Sequence, residues 1–178
     1  MPYSDYECKF NINLWLNPIR NEVARVLDLG VGSGTYFDYY AIRYNKLSKA
    51  EWYGIEVWQP YIEQFCLEQK YTKIYNADLR KFDYSILPKI DLVFAGDVLE
   101  HMDKKSAINI IKECKKISKY LIISIPIVHY PQEAINGNPY EAHVKDDWSH
   151  QEVVDTFDGI IKYHQGSLTG AYLIHVNT

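Results

Sequence analysis

The stretch Arg25–Gly34, RVLDLGVGSG, places a short apolar run directly before a turn that contains three glycines. The run Arg25–Leu29 is bounded by a turn signal and is typical of a buried strand, and residues 36–44 favour a helix. Glycines let the backbone turn sharply and approach a ligand, and the free amides of the helix N-terminus face the same edge of the sheet. The stretch therefore predicts a strand, a turn and a helix, with a ligand site at the carboxyl end of the strand.

Similar short runs alternate with amphipathic stretches along the rest of the chain, a pattern typical of a parallel α/β sheet. Further parallel strands are predicted over residues 52–56, 73–77, 91–95 and 120–125. Besides 36–44, helices are predicted over residues 60–69 and 104–117, the latter with Asp103 as its N-cap.

The C-terminal part of the chain has a different pattern. Ser149 and Glu152 have the spacing of a capping box and predict the start of another helix. Residues 158–164 and 170–176 are two strand-like runs whose connection is too short for a helix, so they should pair as an antiparallel hairpin. We therefore expect an α/β fold, with a doubly wound, mostly parallel seven-stranded sheet that ends in a C-terminal antiparallel hairpin.

Length and charge narrow the classes of function. The 178 residues suggest a single domain over residues 1–178, and the net charge of −4 shows no basic field, so no nucleic-acid partner is expected. No apolar run is long enough to span a membrane and the N-terminus lacks the pattern of a signal peptide, which predicts a cytoplasmic protein. The three cysteines, Cys8, Cys66 and Cys114, are widely spaced and are expected to be reduced, packed thiols.

An acid follows the glycine turn at the distance expected for a nucleoside site. Glu56 closes the second predicted strand, where a carboxylate can accept hydrogen bonds from a ribose diol. The dinucleotide pattern G-x-G-x-x-G would need its third glycine at the position of Thr35. The spacing therefore favours a nucleoside cofactor other than a nicotinamide dinucleotide, although a nucleotide-dependent oxidoreductase stays open as an alternative.

The pattern D-x-G-x-G-x-G, formed by Asp28, Gly30, Gly32 and Gly34, resembles motif I of the class I S-adenosylmethionine (SAM)-dependent methyltransferases. The resemblance continues along the chain. It implies that Glu56 binds the ribose, that the N-x-D-x segment with Asp78 and Leu79 faces the adenine, and that the D-V-L-E-H-M segment with Asp97 and Glu100 lines the methionine end. The candidate cofactor residues are Asp28, Gly30, Gly32, Gly34, Glu56, Asp78, Leu79, Asp97 and Glu100.

Charge supports this cofactor independently, because SAM carries a sulfonium and an ammonium against one carboxylate. The acidic candidates would surround a cation and would repel a phosphate-rich dinucleotide. No metal site is expected, because no convincing set of oxygen ligands can be assembled from the sequence and there is no C-x-x-C pair.

Residues 126–148 form a long stretch without a clear helix or strand pattern, and loops of that length are usually functional or disordered. Aromatic and histidine side chains argue against disorder, so we expect a loop that binds the methyl acceptor. Histidine can act as a general base toward a hydroxyl or an amine, and the catalytic candidates are His101, His129 and His143.

The N-terminal residues 1–20, with Tyr3, Tyr6, Phe10 and Trp15, are expected to form either a lid over the site or a packing segment. The resemblance implies a SAM-dependent methyltransferase, and the absence of a large substrate domain suggests transfer to an oxygen or nitrogen of a small-molecule acceptor. A SAM-binding module without transfer activity is the other alternative.

Overall fold

The computed structural model describes residues 6–176, which contain one seven-stranded sheet in the order β3-β2-β1-β4-β5-β7-β6. The strands are β1 (Arg25–Leu29), β2 (Glu51–Glu56), β3 (Lys73–Asn76), β4 (Ile90–Gly96), β5 (Ser118–Pro126), β6 (Ile160–Gln165) and β7 (Thr169–His175). The first five strands pair in parallel, whereas β7 runs antiparallel to both β5 and β6. The predicted fold class, including the C-terminal hairpin, is confirmed.

The helices are α1 (Lys9–Ile19), α2 (Thr35–Phe37), α3 (Gln59–Gln64), α4 (Leu67–Lys70), α5 (Lys104–Ile117) and α6 (His150–Thr156). Short 3₁₀ turns cover Arg20–Glu22, Tyr84–Ile86, Leu99–His101 and Pro139–Glu141. Both predicted caps are present, because Asp103 accepts from the amide of Ser106 and Ser149 accepts from the amide of Glu152. None of the helices in residues 6–176 is long and apolar enough to cross a membrane.

Two predicted helices are less regular than expected. After α2 the chain continues as a π-helix over Asp38–Arg43, and this wider turn accompanies the packing of the Tyr36 and Tyr40 rings on Phe94. The predicted helix 60–69 is divided into α3 and α4 because Cys66 adopts a left-handed φ of 51°. Cys66 is also exposed, so only Cys8 and Cys114 are packed thiols as expected.

The two faces of the sheet carry separate apolar cores. One core contains the buried faces of α5 and α6, and the other contains α1 and α2. The sequence analysis did not predict α1 as a helix, but its Trp15 and Leu16 are buried, so this part of the N-terminal segment packs against the sheet. Tyr3 lies outside the described residues. Trp148 is buried against Phe157 in the first core rather than exposed to an acceptor.

Strand order decides where a ligand can bind. The chain moves from β1 through β2 to β3 on one side of the sheet and then returns to place β4 and β5 on the other side of β1. The crevice outside the carboxyl ends of β1 and β4 is therefore a topological switch point, where open α/β sheets bind ligands.

Candidate active site

A cavity of about 440 Å³ lies at this switch point, within the size range of small-molecule sites. It is lined by the residues that follow β1, β2, β3 and β4 and by part of the loop after β5. The predicted cofactor residues that line it are Gly30, Gly32, Glu56, Asp78, Leu79, Asp97 and Glu100. Two of the predicted catalytic residues, His101 and His143, line it as well.

The glycine turn after β1 is fixed by its own backbone and by β2. Gly30 has a φ of +63°, and a Cβ there would lie 2.4 Å from Cγ2 of Val98, so the position excludes any side chain. Gly32 also has a positive φ of 57°, and its amide donates to Oε2 of Glu56 at 2.8 Å. The turn and the acid at the end of β2 therefore form one unit.

Glu56 is buried at the end of β2, with each carboxylate oxygen bonded to the backbone. Oε2 accepts from Gly32, and Oε1 accepts from the amide of Trp58 at 2.7 Å. Burial raises the pKa of Glu56 although the two amides act in the opposite direction. Each oxygen has a second lone pair, so the carboxylate can still accept from the two hydroxyls of a ribose.

Asp78 follows β3 and is already paired. The guanidinium of Arg80 donates to both of its carboxylate oxygens at 2.7–3.1 Å, and this contact holds the pKa of Asp78 below its usual range. Sequence analysis missed Arg80, which lines the cavity beside Leu79. A ligand amine near Asp78 would therefore share the carboxylate with a cation.

The structure places Asp28 and Gly34 behind the turn and not on the cavity surface. Asp28 is buried, and its Oδ2 accepts from the hydroxyl of Tyr71 at 2.6 Å; burial raises the pKa of Asp28 to about 7. Gly34, with a φ of +82°, starts α2 and packs near Leu67. Both residues support the turn and would act on a ligand only through it.

On the other side of the cavity, the turn after β4 meets the loop after β5. The carbonyl of Glu100 accepts from the amides of Val144 and Lys145 at 2.9 and 3.0 Å, which ties this part of the loop to the turn. The His101 and His143 rings are consequently adjacent, with centroids 4.8 Å apart. The loop thus brings a histidine to the site, as the sequence analysis expected.

Burial has the largest effect on the pKa values of the residues on this side of the cavity. It raises the pKa of Glu100 well above its ordinary value, and the neighbouring Asp97 adds to the effect. Burial and the nearby His143 lower the pKa of His101 to about 4, so its imidazole is neutral at pH 7. Glu141, from the same loop, is also buried with a raised pKa. The cavity therefore combines several acids with the neutral imidazole of His101, an environment that suits a cationic ligand.

His129, the third predicted catalytic residue, lies outside the cavity. Its side chain is 70% exposed and points toward Asp146, with 3.7 Å between Nδ1 and Oδ2. The next residue, Tyr130, is held to the cavity by its carbonyl, which lies 2.6 Å from Nδ1 of His143. Tyr130 lines the cavity in its place.

Several lining residues had no signal in the sequence. Tyr36, Tyr61 and Glu141 reach the cavity from α2, α3 and the 3₁₀ turn of the loop, positions that depend on how these elements pack. Tyr6 also lines the cavity while its ring is largely exposed, so a residue of the N-terminal segment does reach the site. A lid role for this segment stays a prediction.

The comparison with protein families decides the class of this protein. The model described as "Methyltransferase domain" matches residues 27–121, more than half of the chain. The chain belongs to this methyltransferase family. It is a class I SAM-dependent methyltransferase, as the motifs implied, and this assignment decides against the oxidoreductase alternative. A search of curated proteins found no match.

Solved structures with the same fold include several methyltransferases. The N-terminal domain of EvdMO1, crystallised with S-adenosylhomocysteine (SAH), has a TM-score of 0.67 at 10% identity, with 94% of this chain and 80% of that chain covered. A SAM-dependent methyltransferase from Clostridium acetobutylicum has a TM-score of 0.69 at 10% identity, with 98% and 93% covered. The methyltransferase domain of bacterial CtHen1-C has a TM-score of 0.70 at 16% identity, with 97% and 98% covered.

The residues of the cavity fit SAM, the cofactor of this family. Gly30 and Gly32 of the turn line the cavity without a side chain, and Glu56 has spare lone pairs for a ribose. Asp97 and Glu100 also line the cavity, and acidic residues suit the cationic groups of SAM. SAM supplies a methyl group that its sulfonium has already activated for transfer.

Proposed function

We propose that this enzyme transfers the methyl group of SAM to an oxygen or nitrogen of a small-molecule acceptor, which binds under the loop of residues 126–148. The main support for the proposal is that the rings of His101 and His143 are paired on the side of the cavity opposite Glu56. Strands β2 and β4 are separated by β1, so the two sides are about 10 Å apart at the usual strand spacing. This separation leaves room for a nucleoside on one side and an acceptor on the other.

In this proposal the chain mainly positions and desolvates the reactants. Methyl transfer is an in-line displacement, so holding the acceptor against the methyl group provides much of the rate enhancement. Glu56 and the glycine turn would fix the nucleoside, and Asp97 and Glu100 would face the methionine end. Tyr130 and Tyr140 of the loop would limit access of water to the acceptor side.

An acceptor hydroxyl or ammonium must lose a proton for its oxygen or nitrogen to attack. His101 and His143 are the cavity residues that would assist this loss. The net charge of −4 and the acids of the cavity favour a neutral or cationic small molecule over a polyanion.

An activity assay on the full chain tests the proposal. SAH formation should be measured by mass spectrometry with hydroxyl- and amine-bearing metabolites and with short RNAs. With an accepted metabolite, His143→Ala should lower the transfer rate by about 10²–10⁴-fold and leave SAM affinity unchanged. His129→Ala is the matched control, because this exposed histidine of the same loop lies outside the cavity.

Each other outcome contradicts a specific part of the proposal. Turnover of RNA alone would overturn the small-molecule acceptor. SAM binding without turnover of any compound would favour the SAM-binding module. Equal losses in His143→Ala and His129→Ala would mean that the loop, and not its cavity histidine, is needed.

A further inference from the structure

Three side chains of the acceptor side form a group with the composition of a metal site. Glu100, His101 and His143 each offer one ligand atom, and these atoms lie within 4.8 Å of one another. Ligands of a common ion at 2.0–2.2 Å are about 3–4 Å apart, so small side-chain rotations would bring the three atoms onto one ion. No metal was expected from the sequence, because no convincing set of oxygen ligands could be assembled, and nothing in the sequence places His143 beside Glu100.

Glu100 provides an independent indication of a missing ligand. The residue is only 2% exposed, and its Oε2 has no hydrogen-bond partner among residues 6–176. None of the ion pairs within that part of the chain includes Glu100. A buried carboxylate oxygen without a partner is costly, and a cation in the cavity would satisfy it.

Backbone contacts orient both imidazoles in the same way. Nδ1 of His101 lies 3.2 Å from the carbonyl of Ala142, and Nδ1 of His143 lies 2.6 Å from the carbonyl of Tyr130. A carbonyl only accepts, so Nδ1 of each ring donates to it, and Nε2 is the nitrogen that could bind a metal. Metal-binding histidines are characteristically fixed by such a bond from the second ring nitrogen.

We propose that Glu100, His101 and His143 bind one divalent transition-metal ion that also binds the oxygen of the methyl acceptor. Two imidazoles and one carboxylate suit Mn²⁺, Co²⁺ or Zn²⁺ better than Mg²⁺ or Ca²⁺, which prefer oxygen ligands. Three protein ligands leave coordination positions for the acceptor and for water. The role in catalysis rests on the proposed function, whereas metal binding itself does not.

A bound metal ion would explain how His101 and His143 can activate an acceptor while Nδ1 of each ring is bonded to a backbone carbonyl. A hydroxyl bound to the ion becomes more acidic and releases its proton to water. The resulting oxygen anion forms a bond to the methyl carbon while the carbon–sulfur bond breaks, and the sulfur keeps that electron pair. The products are SAH and a methyl ether. An amine bound to the ion would have its lone pair occupied, so the site favours a hydroxyl acceptor.

Metal binding should be measured first on the full chain without any acceptor. After treatment with a chelator and dialysis, the protein should be titrated with Mn²⁺ under paramagnetic resonance and with Co²⁺ under visible absorption. One ion per chain is expected, and X-ray absorption of the Co²⁺ form should show two imidazoles. Glu100→Gln and His143→Gln should each weaken binding by at least about 10–100-fold, whereas His129→Gln should not change it.

Several outcomes would overturn the site. The first is that Mn²⁺, Co²⁺ and Zn²⁺ show no saturable binding. The second is that neither Glu100→Gln nor His143→Gln weakens metal binding. The third is that the Co²⁺ form shows no imidazole ligands in its X-ray absorption spectrum. The X-ray absorption spectrum of wild-type protein with Co²⁺ tests the site even if a variant does not fold. SAM titration of the same samples separates this proposal from the function: loss of metal binding with intact SAM binding and turnover would refute the metal alone.

Discussion

The two sides of the cavity are built in different ways. The cofactor side uses the backbone of Gly30 and Gly32 and one buried acid, Glu56, all at the ends of adjacent strands β1 and β2. The side that we propose for the acceptor has the side chains of His101 and His143, which a loop brings together. One side is defined by local motifs, and the other by the path of a long connection.

In the proposed function, this difference separates binding of the cofactor from selection of the acceptor. In the proposed function the glycine turn and Glu56 would contact only the cofactor, so they would bind it whatever the acceptor is. The proposed acceptor residue His143 lies on a loop, and loops can vary without disturbing the sheet. Variants on the cofactor side should therefore change SAM affinity, and variants on the acceptor side should change transfer.

The largest expected effect on the cofactor side comes from Gly32→Val. The substitution places a branched side chain at a left-handed φ beside the cavity and displaces the amide that bonds Glu56. SAM binding should be lost. The stabilisation of about 2.7 kcal/mol that SAM provides at 100 times its Kd should then disappear from thermal unfolding curves.

Gly137→Val is the matched control for Gly32→Val. Gly137 also has a positive φ, of 75°, but a Cβ there would meet no atom within 4 Å. Both variants should lose about 1–2 kcal/mol of stability from the left-handed conformation, and only Gly32→Val should lose the response to SAM. A full SAM response in Gly32→Val would show that the turn is structural and does not contact the cofactor.

A smaller effect is expected when the acid at the end of β2 is changed. Glu56→Gln replaces one acceptor oxygen with a donor, so the ribose loses a charged partner. Calorimetry should show that the binding free energy of SAM is weakened by about 1.5–3 kcal/mol, the range for hydrogen bonds to charged groups. Asp78→Asn should weaken SAM binding by a smaller amount, because both carboxylate oxygens of Asp78 already accept from Arg80.

The order of these two losses sharpens the assignment of the cofactor side. If Asp78→Asn weakens SAM binding more than Glu56→Gln, the principal acid of the site follows β3 rather than β2. Unchanged affinity in a folded Glu56→Gln variant would remove Glu56 from the ribose site.

The sequence predicted the sheet and the glycine turn at its edge because both depend on short-range patterns. The strand before Gly30 and the N-cap of α5 at Asp103 are each specified by residues within one or two turns. The irregular helices were missed because packing overrides propensity there. Aromatic contacts of Tyr40 with Phe94 and the left-handed Cys66 have no local sequence signature.

The acceptor side was only partly predictable for a related reason. The long loop, its aromatic residues and His143 were identified from composition. Which histidine enters the cavity depends on hydrogen bonds from Val144 and Lys145 to the carbonyl of Glu100, contacts between residues far apart in the chain. A sequence pattern therefore could not separate His143 from the exposed His129.

The smallest effect concerns Asp28, which lies beneath the cofactor side without lining it. Burial raises its pKa to about 7, and the ordinary value is 3.8. Because the folded protein holds this proton more tightly than the unfolded chain, Asp28 makes the free energy of unfolding fall as the pH rises from about 4 to about 7. Asp28→Asn removes this titration and keeps an oxygen that can accept from Tyr71.

Urea unfolding of wild type and Asp28→Asn without SAM, at several pH values from 4 to 8, tests this linkage. The stability of Asp28→Asn relative to wild type should rise with pH across that range by at least about 1 kcal/mol, since one pKa unit corresponds to 1.36 kcal/mol. A constant offset between the two proteins reflects the exchange of carboxylate for amide and does not bear on the linkage. A difference that stays flat from pH 4 to 8 would mean that Asp28 is ionised in the folded protein, and that the support beneath the turn is a charged acceptor for Tyr71.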